Sequence, residues 1–546
     1  MSRLLVSLAA LAVSLAPSLA EACGCFAVPN PTVPVVQAGE RIIFAVKNGQ
    51  VTAHVQVLYN GANGQEFGWL VPLPAVPTIQ LGADEVFAVL NSGTQPRYQV
   101  NRSVDSSCQL GGLPGAGGGT ASGNFAGGSA GGSPLVVQDS VGPYDYAVLR
   151  SDSKDEMLAW LMANRYFVPA TSDSALAPYI RPGGYFLALK LRPGNDTGDL
   201  QPIVMKYQSD YGQIPLTLTS IGAVQDMGVQ VFLLAAGRGI PRNYHHTVIN
   251  DAQLDWLGGA GNYASVITRA VGEAPGKHSF VTEFAGSPEP LVGGLGSTLR
   301  FGSKAQFAAL PTPEDFVEAL YANGFQAQQL TGGLALPGPL KGILSRYLPP
   351  PQGVPLDVFY ARYRSMKAMA PPQDYQPQAM ADAIWERVVT PVLDARALLA
   401  DSPILTRLFT TISPADMNKD PAFSFNPTLP NVSNNHVATL TTVCGTAGTR
   451  QVLTTEQGWT MEVGGSSGID LAKLPASWRT ELLREEGGPE VLTDNTALLK
   501  PMSPTPPMST MFTEPLPKKT GCAASGAGDS MAVLLALVML VTLRRR

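Results

Sequence analysis

The chain has 546 residues, of which 45% are hydrophobic and only 14% charged, and its formal net charge is −5. A soluble domain typically carries roughly 25% charged residues; an acidic balance with no basic stripe argues against a nucleic-acid partner. The 56 glycines and 46 prolines place many turns between short elements, as a β-leaning fold requires.

Residues 1–22 read as an export signal: Arg3, an apolar run from Leu4 to Leu15, and small residues at Ala20 and Ala22 for cleavage. Cys23 and Cys25 follow at once, and with Cys108 and Cys444 they supply thiols for disulfides in an oxidising compartment. A bond between Cys23 and Cys25 would close a strained ring around one glycine. Each is therefore expected to reach across, to Cys108 and Cys444 in either order. Cys-Gly-Cys lacks nearby partner ligands, so no metal or other cofactor is expected.

Ile42–Lys47 and Val51–Tyr59 form the next pattern. Val51, Ala53, Val55 and Val57 alternate with Thr52, His54 and Gln56, and Asn48-Gly49 is a two-residue hairpin turn. His54 falls on the polar face and is expected to be solvated or at a sheet edge. A third strand, Phe67–Leu73, would complete a meander ended by prolines that lack an amide donor. Residues 111–134 form a Gly-rich loop. Further strands are expected at Pro143–Leu149, Tyr185–Leu191, Ile203–Tyr207, Ile214–Val224 and Val229–Ala235, with a helix opened by the Ser153–Glu156 capping box.

From Pro311 the pattern turns helical. Thr312-Pro313-Glu314-Asp315 caps a helix that Asn323-Gly324 stops, and Gln378–Leu399 is a longer helix interrupted by Pro391. Strands return at Asn435–Val443 and Trp459–Val463. The expected organisation is a signal (1–22), a β-rich domain (23–290), a mixed, helix-rich region (291–486), a Pro/Thr/Ser-rich linker (487–520) and a membrane-directed tail (521–546). The fold class is α+β: a mostly antiparallel β module with inserted helices, followed by a partly helical region.

The tail reads Gly521-Cys522, a small-residue spacer, an apolar run from Met531 to Leu543, and Arg544, Arg545 and Arg546. The run spans roughly 20 Å as a helix, short of the roughly 30 Å hydrocarbon core. A transient sorting span fits better than a permanent anchor, with the arginines on the cytoplasmic side.

Chemistry is sparse. His245 and His246 sit at a loop-to-strand junction, where neighbours point to opposite faces and cannot easily share a metal. Two Gly-x-Ser-x-Gly stretches, at 127–131 and 464–468, do not join a strand to a helix as a nucleophile elbow must. The leading expectation is a non-enzymatic binding or structural protein of the envelope, with an unidentified surface ligand or protein partner. The alternative is an extracellular hydrolase using His245 or His246 with a carboxylate such as Asp251 or Glu283, brought close only by the fold.

Several blocks resemble an exported bacterial family, domain of unknown function 2330. They are Cys23–Phe26, Gly39–Phe44, Val51–Val57, Phe67–Pro74, Val141–Tyr146, Gly184–Leu191 and Phe280–Gly286, in the expected order. That family carries no assigned activity, so the resemblance implies no catalytic residues. The tail resembles the myxobacterial C-terminal sorting signal. This implies the export machinery and a membrane protease as partners, cleavage near Cys522, and retention at the cell surface.

Overall fold

The computed structural model describes residues 36–60, 68–105, 108, 135–166, 168, 172–193, 200–297, 299–300, 302–325, 336–445, 448–463 and 473–499. The signal segment, Cys23, Cys25, the 111–134 loop, both Gly-x-Ser-x-Gly stretches and the tail with Gly521, Cys522 and Arg544–Arg546 lie outside these residues. Among the described residues no helix is long and apolar enough to cross a membrane.

The body is α+β, organised on a ten-stranded mixed sheet. Its spatial order is Glu490–Asp494, Ser477–Leu482, His245–Ile249, Ser279–Gly286, Ile404–Ile412, Ala223–Ala235, Val36–Lys47, Gln50–Asn60, Ile203–Gln208 and Thr78–Leu81. All neighbours are antiparallel except Val36–Lys47 with Ala223–Ala235 and His245–Ile249 with Ser279–Gly286. The hairpin forms as expected, with Asn48 at φ 53° and Gly49 at φ 71°, the pair of positive values that a type I′ turn needs.

Both faces of the central strands are covered. Ile42 and Phe44 join one core with Val231 and Leu233, packed against Leu70, Val148, Phe186 and Leu187 of a separate four-stranded sheet. Ile43 and Ala45 point the other way, with Phe232 and Leu234, into helices Asp84–Thr94 and Thr390–Ala400. Alternation therefore does not sort these strands into a wet and a dry side.

His54 corrects one expectation for this reason. It is 3% exposed, between Ile43 and Val204 on the neighbouring strands, and its Nδ1 has no hydrogen-bond partner. Burial, with the Lys206 charge adding, pushes its imidazole down to about 4, against about 6.5 in an unfolded chain. Between those values the unfolded chain binds a proton that the fold refuses. Stability should rise as pH climbs from about 4 to about 6.5 and be lost on acidification. In urea titrations His54→Gln is expected to flatten that part of the pH–stability curve; an unchanged slope would contradict it.

Four further expectations are corrected. The strand Gly68–Leu73 leaves the hairpin and pairs with Tyr185–Leu191 in the separate sheet, so there is no meander; Gln50–Asn60 instead pairs with Ile203–Gln208. Ile214–Val224 is not one strand: Leu216–Thr219 is a helical turn before the strand Ala223–Ala235. Residue 290 does not divide the sheet, because Ile404–Ile412 lies between Ser279–Gly286 and Ala223–Ala235. Glu490–Asp494 pairs with Ser477–Leu482, so the chain is still sheet where a linker was expected from Gly487.

The helical region has its own core around Phe307, Phe316, Leu340, Phe359 and Ile384. Thr312 caps the helix Pro313–Ala322, its Oγ1 accepting from the Asp315 amide at 3.2 Å; Thr312→Ala should cost about 1 kcal/mol in chemical denaturation. Around Pro391 the long helix widens into a π turn at Trp385–Val389 before Thr390–Ala400. Proline offers no N–H to the carbonyl four residues back, that of Arg387, and Gln201 Nε2 donates to this carbonyl instead at 2.6 Å.

Cys108 bonds Cys444, so neither is available to Cys23 or Cys25, and the expected cross-pairing is corrected. The bridge continues the parallel pairing of Arg97–Val104 with Asn435–Gly445 in a further four-stranded sheet. Helix Tyr263–Gly272 packs between this sheet and the large one, through Val266 and Ile267 against Ile249, Val281, Ala438 and Leu440.

Candidate functional site

A cavity of about 480 Å³ opens where the large sheet meets that last sheet. One wall is aromatic and apolar. Tyr98 meets Trp256 edge-on at 5.3 Å and stacks on His436 at 4.8 Å, with Tyr263, Leu254, Leu429 and Leu483 around them. The same lining also holds His246, Thr282, Arg238, Glu481 and Arg479.

Strand register assembles this polar side. His246 and Glu481 are directly opposite on antiparallel strands, and His246 pairs with Phe280 on the parallel strand beyond. Thr282 lies two residues past Phe280, on the same face. The pairing with Ile404–Ile412 then slips by one residue between Thr282 and Phe284. Such a bulge re-aims side chains, and consecutive Thr282 and Glu283 both line the cavity.

The hydrogen bonds form a directed chain. His246 Nδ1 lies 3.2 Å from Glu481 Oε2 and Nε2 3.0 Å from Thr282 Oγ1. An ionised carboxylate only accepts, so Nδ1 carries the proton and Nε2 accepts from the threonine hydroxyl. Arg238 Nη2 donates to the same Oγ1 at 3.1 Å. Burial holds His246 below its ordinary pKa, the Glu481 bond offsetting this only in part. For Glu481, burial alone would raise the pKa, but His246, Arg479 and Arg238 outweigh it and hold the carboxyl below its usual range. The pair rests as neutral imidazole and carboxylate.

The expected partners are elsewhere, which corrects the pairing of either histidine with Asp251 or Glu283. Asp251 accepts from Thr455 Oγ1 at 2.8 Å and the Gln457 amide at 2.9 Å, clamping a turn; burial raises its carboxyl to about 6. Glu283 is bound by Arg407 and by Tyr263 Oη at 2.8 Å. His245 points away, with Nδ1 3.1 Å from the His278 carbonyl. The fold thus brings His246, Asp251 and Glu283 to one cavity without joining them. Glu481, Arg479, Thr282 and Arg238 are the members that sequence reasoning missed. Alternating charge in Ser477–Leu482, with Arg479 and Glu481 two apart, was the available sign of a strand with a polar face.

A second cavity, of about 210 Å³, lies against Phe44, Trp69, Tyr179, Tyr211 and Asp420. Asp420 is engaged by Tyr179 Oη at 2.7 Å and the Thr217 amide at 2.9 Å, so this lining is internally matched. Among the described residues, no group of three or more His, Cys, Asp or Glu is placed to hold a metal.

A family model described as an uncharacterized protein conserved in bacteria, DUF2330, matches residues 18–292. No curated protein and no solved structure matches the chain.

Proposed function

The chain belongs to this DUF2330 family of bacterial proteins, and from that premise we propose that it is an exported, surface-held protein that binds a small ligand in the cavity around His246. The cavity carries the reading: an apolar and aromatic lining with a few convergent polar groups is the usual make-up of a ligand pocket. Filling it with Thr282→Trp should abolish small-molecule binding in a thermal-shift panel while the fold persists. A variant that binds as the parent does would remove the cavity as the site.

Export is supported by residues 1–22, and surface retention by the tail. In sequence, Cys522 follows a Pro-rich stretch and precedes a short apolar run and terminal arginines. We place processing near Gly521-Cys522, by a membrane protease, with Met531–Arg546 removed. Intact-mass analysis of the envelope-bound protein tests this: wild type should lack Arg546, and Cys522→Ala should lose retention. Wild type still ending at Arg546, or a normally retained variant, would make Met531–Leu543 a plain anchor.

One observation favours a second reading, an extracellular hydrolase. Glu481, His246 and Thr282 have the order of an acid, a base and a hydroxyl nucleophile. In that reading Thr282 Oγ1 attacks an ester carbonyl while His246 Nε2 takes its proton and returns it to the leaving alcohol, and water then releases the acid. Hydrolysis of p-nitrophenyl acetate that disappears in both His246→Gln and Thr282→Val would favour it. A wild-type rate equal to that of buffer would remove it.

A further inference from the structure

Arg238 stands out in the cavity because it has no direct ion pair, the Glu481 carboxylate favouring its charge without contacting it. It is 9% exposed, and its donated hydrogen bonds go to neutral acceptors: Thr282 Oγ1 at 3.1 Å and the Pro430 carbonyl at 3.4 Å. Its Nε has no partner. Among the described residues it forms no ion pair. The nearby carboxylate, Glu481, is already taken by His246 at 3.2 Å and Arg479 at 3.2 Å. With His246 neutral, this end of the cavity holds two guanidinium charges against one carboxylate.

Burying a charge without a direct ion pair is costly, and folds remove such charges unless something uses them. Tyr98 and Trp256, with Leu254 and Leu429, give the same lining an aromatic and apolar surface. Resting on the reading of the cavity as a ligand site, we propose that its ligand is an organic anion, whose carboxylate or phosphate is held at Arg238 and whose apolar or aromatic body lies against the Tyr98–Trp256 wall. The acid group supplies the missing direct ion pair. Glu283, Asp251 and Glu456, whose charges act on Tyr98, repel it from the reverse orientation. Arg479, 39% exposed at its side chain, adds attraction at the mouth.

The test uses isothermal titration of the exported body with 3-phenylpropionate, phenyl phosphate, neutral 3-phenylpropanamide and inorganic phosphate. At least one aromatic acid should bind tenfold or more tightly than the amide, and tighter than inorganic phosphate; which acid leads separates a carboxylate ligand from a phosphate one. Arg238→Met should reduce that acid to the level of the amide, and Arg238→Lys should recover part of the loss. A second readout separates binding from a structural role. If Arg238 is kept for a ligand, ligand-free Arg238→Met is as stable as the parent or more so. If Arg238 only supports the fold, the variant melts lower. Equal binding of acid and amide overturns the anion proposal while leaving the cavity a ligand site. No binding by acids or amide overturns both.

Discussion

Replacing Arg407 with methionine is expected to lower the unfolding free energy by about 3–5 kcal/mol. Arg407 and Glu283 sit on adjacent strands with side chains only 7% and 1% exposed, joined by a direct ion pair. Arg407 Nη1 also donates to Asn91 Oδ1 at 2.9 Å and to the Asn91 carbonyl at 3.2 Å, tying helix Asp84–Thr94 to the sheet. Removing the guanidinium leaves a carboxylate deep in the structure that, among the described residues, keeps the Tyr263 hydroxyl as its side-chain donor. The cost comes mainly from that stranded charge, and this fixes the control. The double variant Arg407→Met, Glu283→Gln should recover most of the loss, since the amide still accepts from Tyr263 and no charge remains. Urea unfolding of the four proteins checks the cycle; losses that simply add would show that the two side chains act independently.

The second large effect belongs to the Cys108–Cys444 bond. Its ends are 336 residues apart in sequence, and a cross-link over so long a loop removes much freedom from the unfolded chain, worth roughly 3–5 kcal/mol. The folded state has little to lose. Both cysteines are partly exposed, and the strands they extend remain paired from Arg97–Asn435 to Val104–Thr442. The double variant Cys108→Ser, Cys444→Ser should therefore fold to the same structure with a lower urea midpoint and a steeper dependence on urea, because its unfolded chain is more expanded. An unchanged midpoint would mean that the bridge does not form in the exported protein.

Local chemistry was legible in the sequence where one short segment decides the outcome. Asn48-Gly49 fixes its turn because both residues accept positive φ, and Thr312 fixes its helix start through a hydroxyl three residues from the Asp315 amide. Pro391 announced a disturbance, although its form, a π turn answered by Gln201, depends on a residue far away in sequence. His54 was misplaced because alternation tells which residues share a face, not whether that face meets water; here helices cover it. The order of the ten strands was hidden for a related reason. Strands such as Ile404–Ile412 and Ser477–Leu482 carry no local mark of partners that lie more than a hundred residues earlier. The site suffered most. His246 was visible as a candidate, but Glu481 reaches it across 235 residues, and Thr282 faces it only through the register beside a bulge.

A crystallographic fragment screen on the body of the protein tests the ligand-site claim most directly, since it reads position without assuming a ligand. Fragments are expected to collect in the 480 Å³ cavity, with aromatic rings against Tyr98 and Trp256 and acid groups at Arg238. Fragments distributed over other surfaces, with this cavity holding only water, would contradict it.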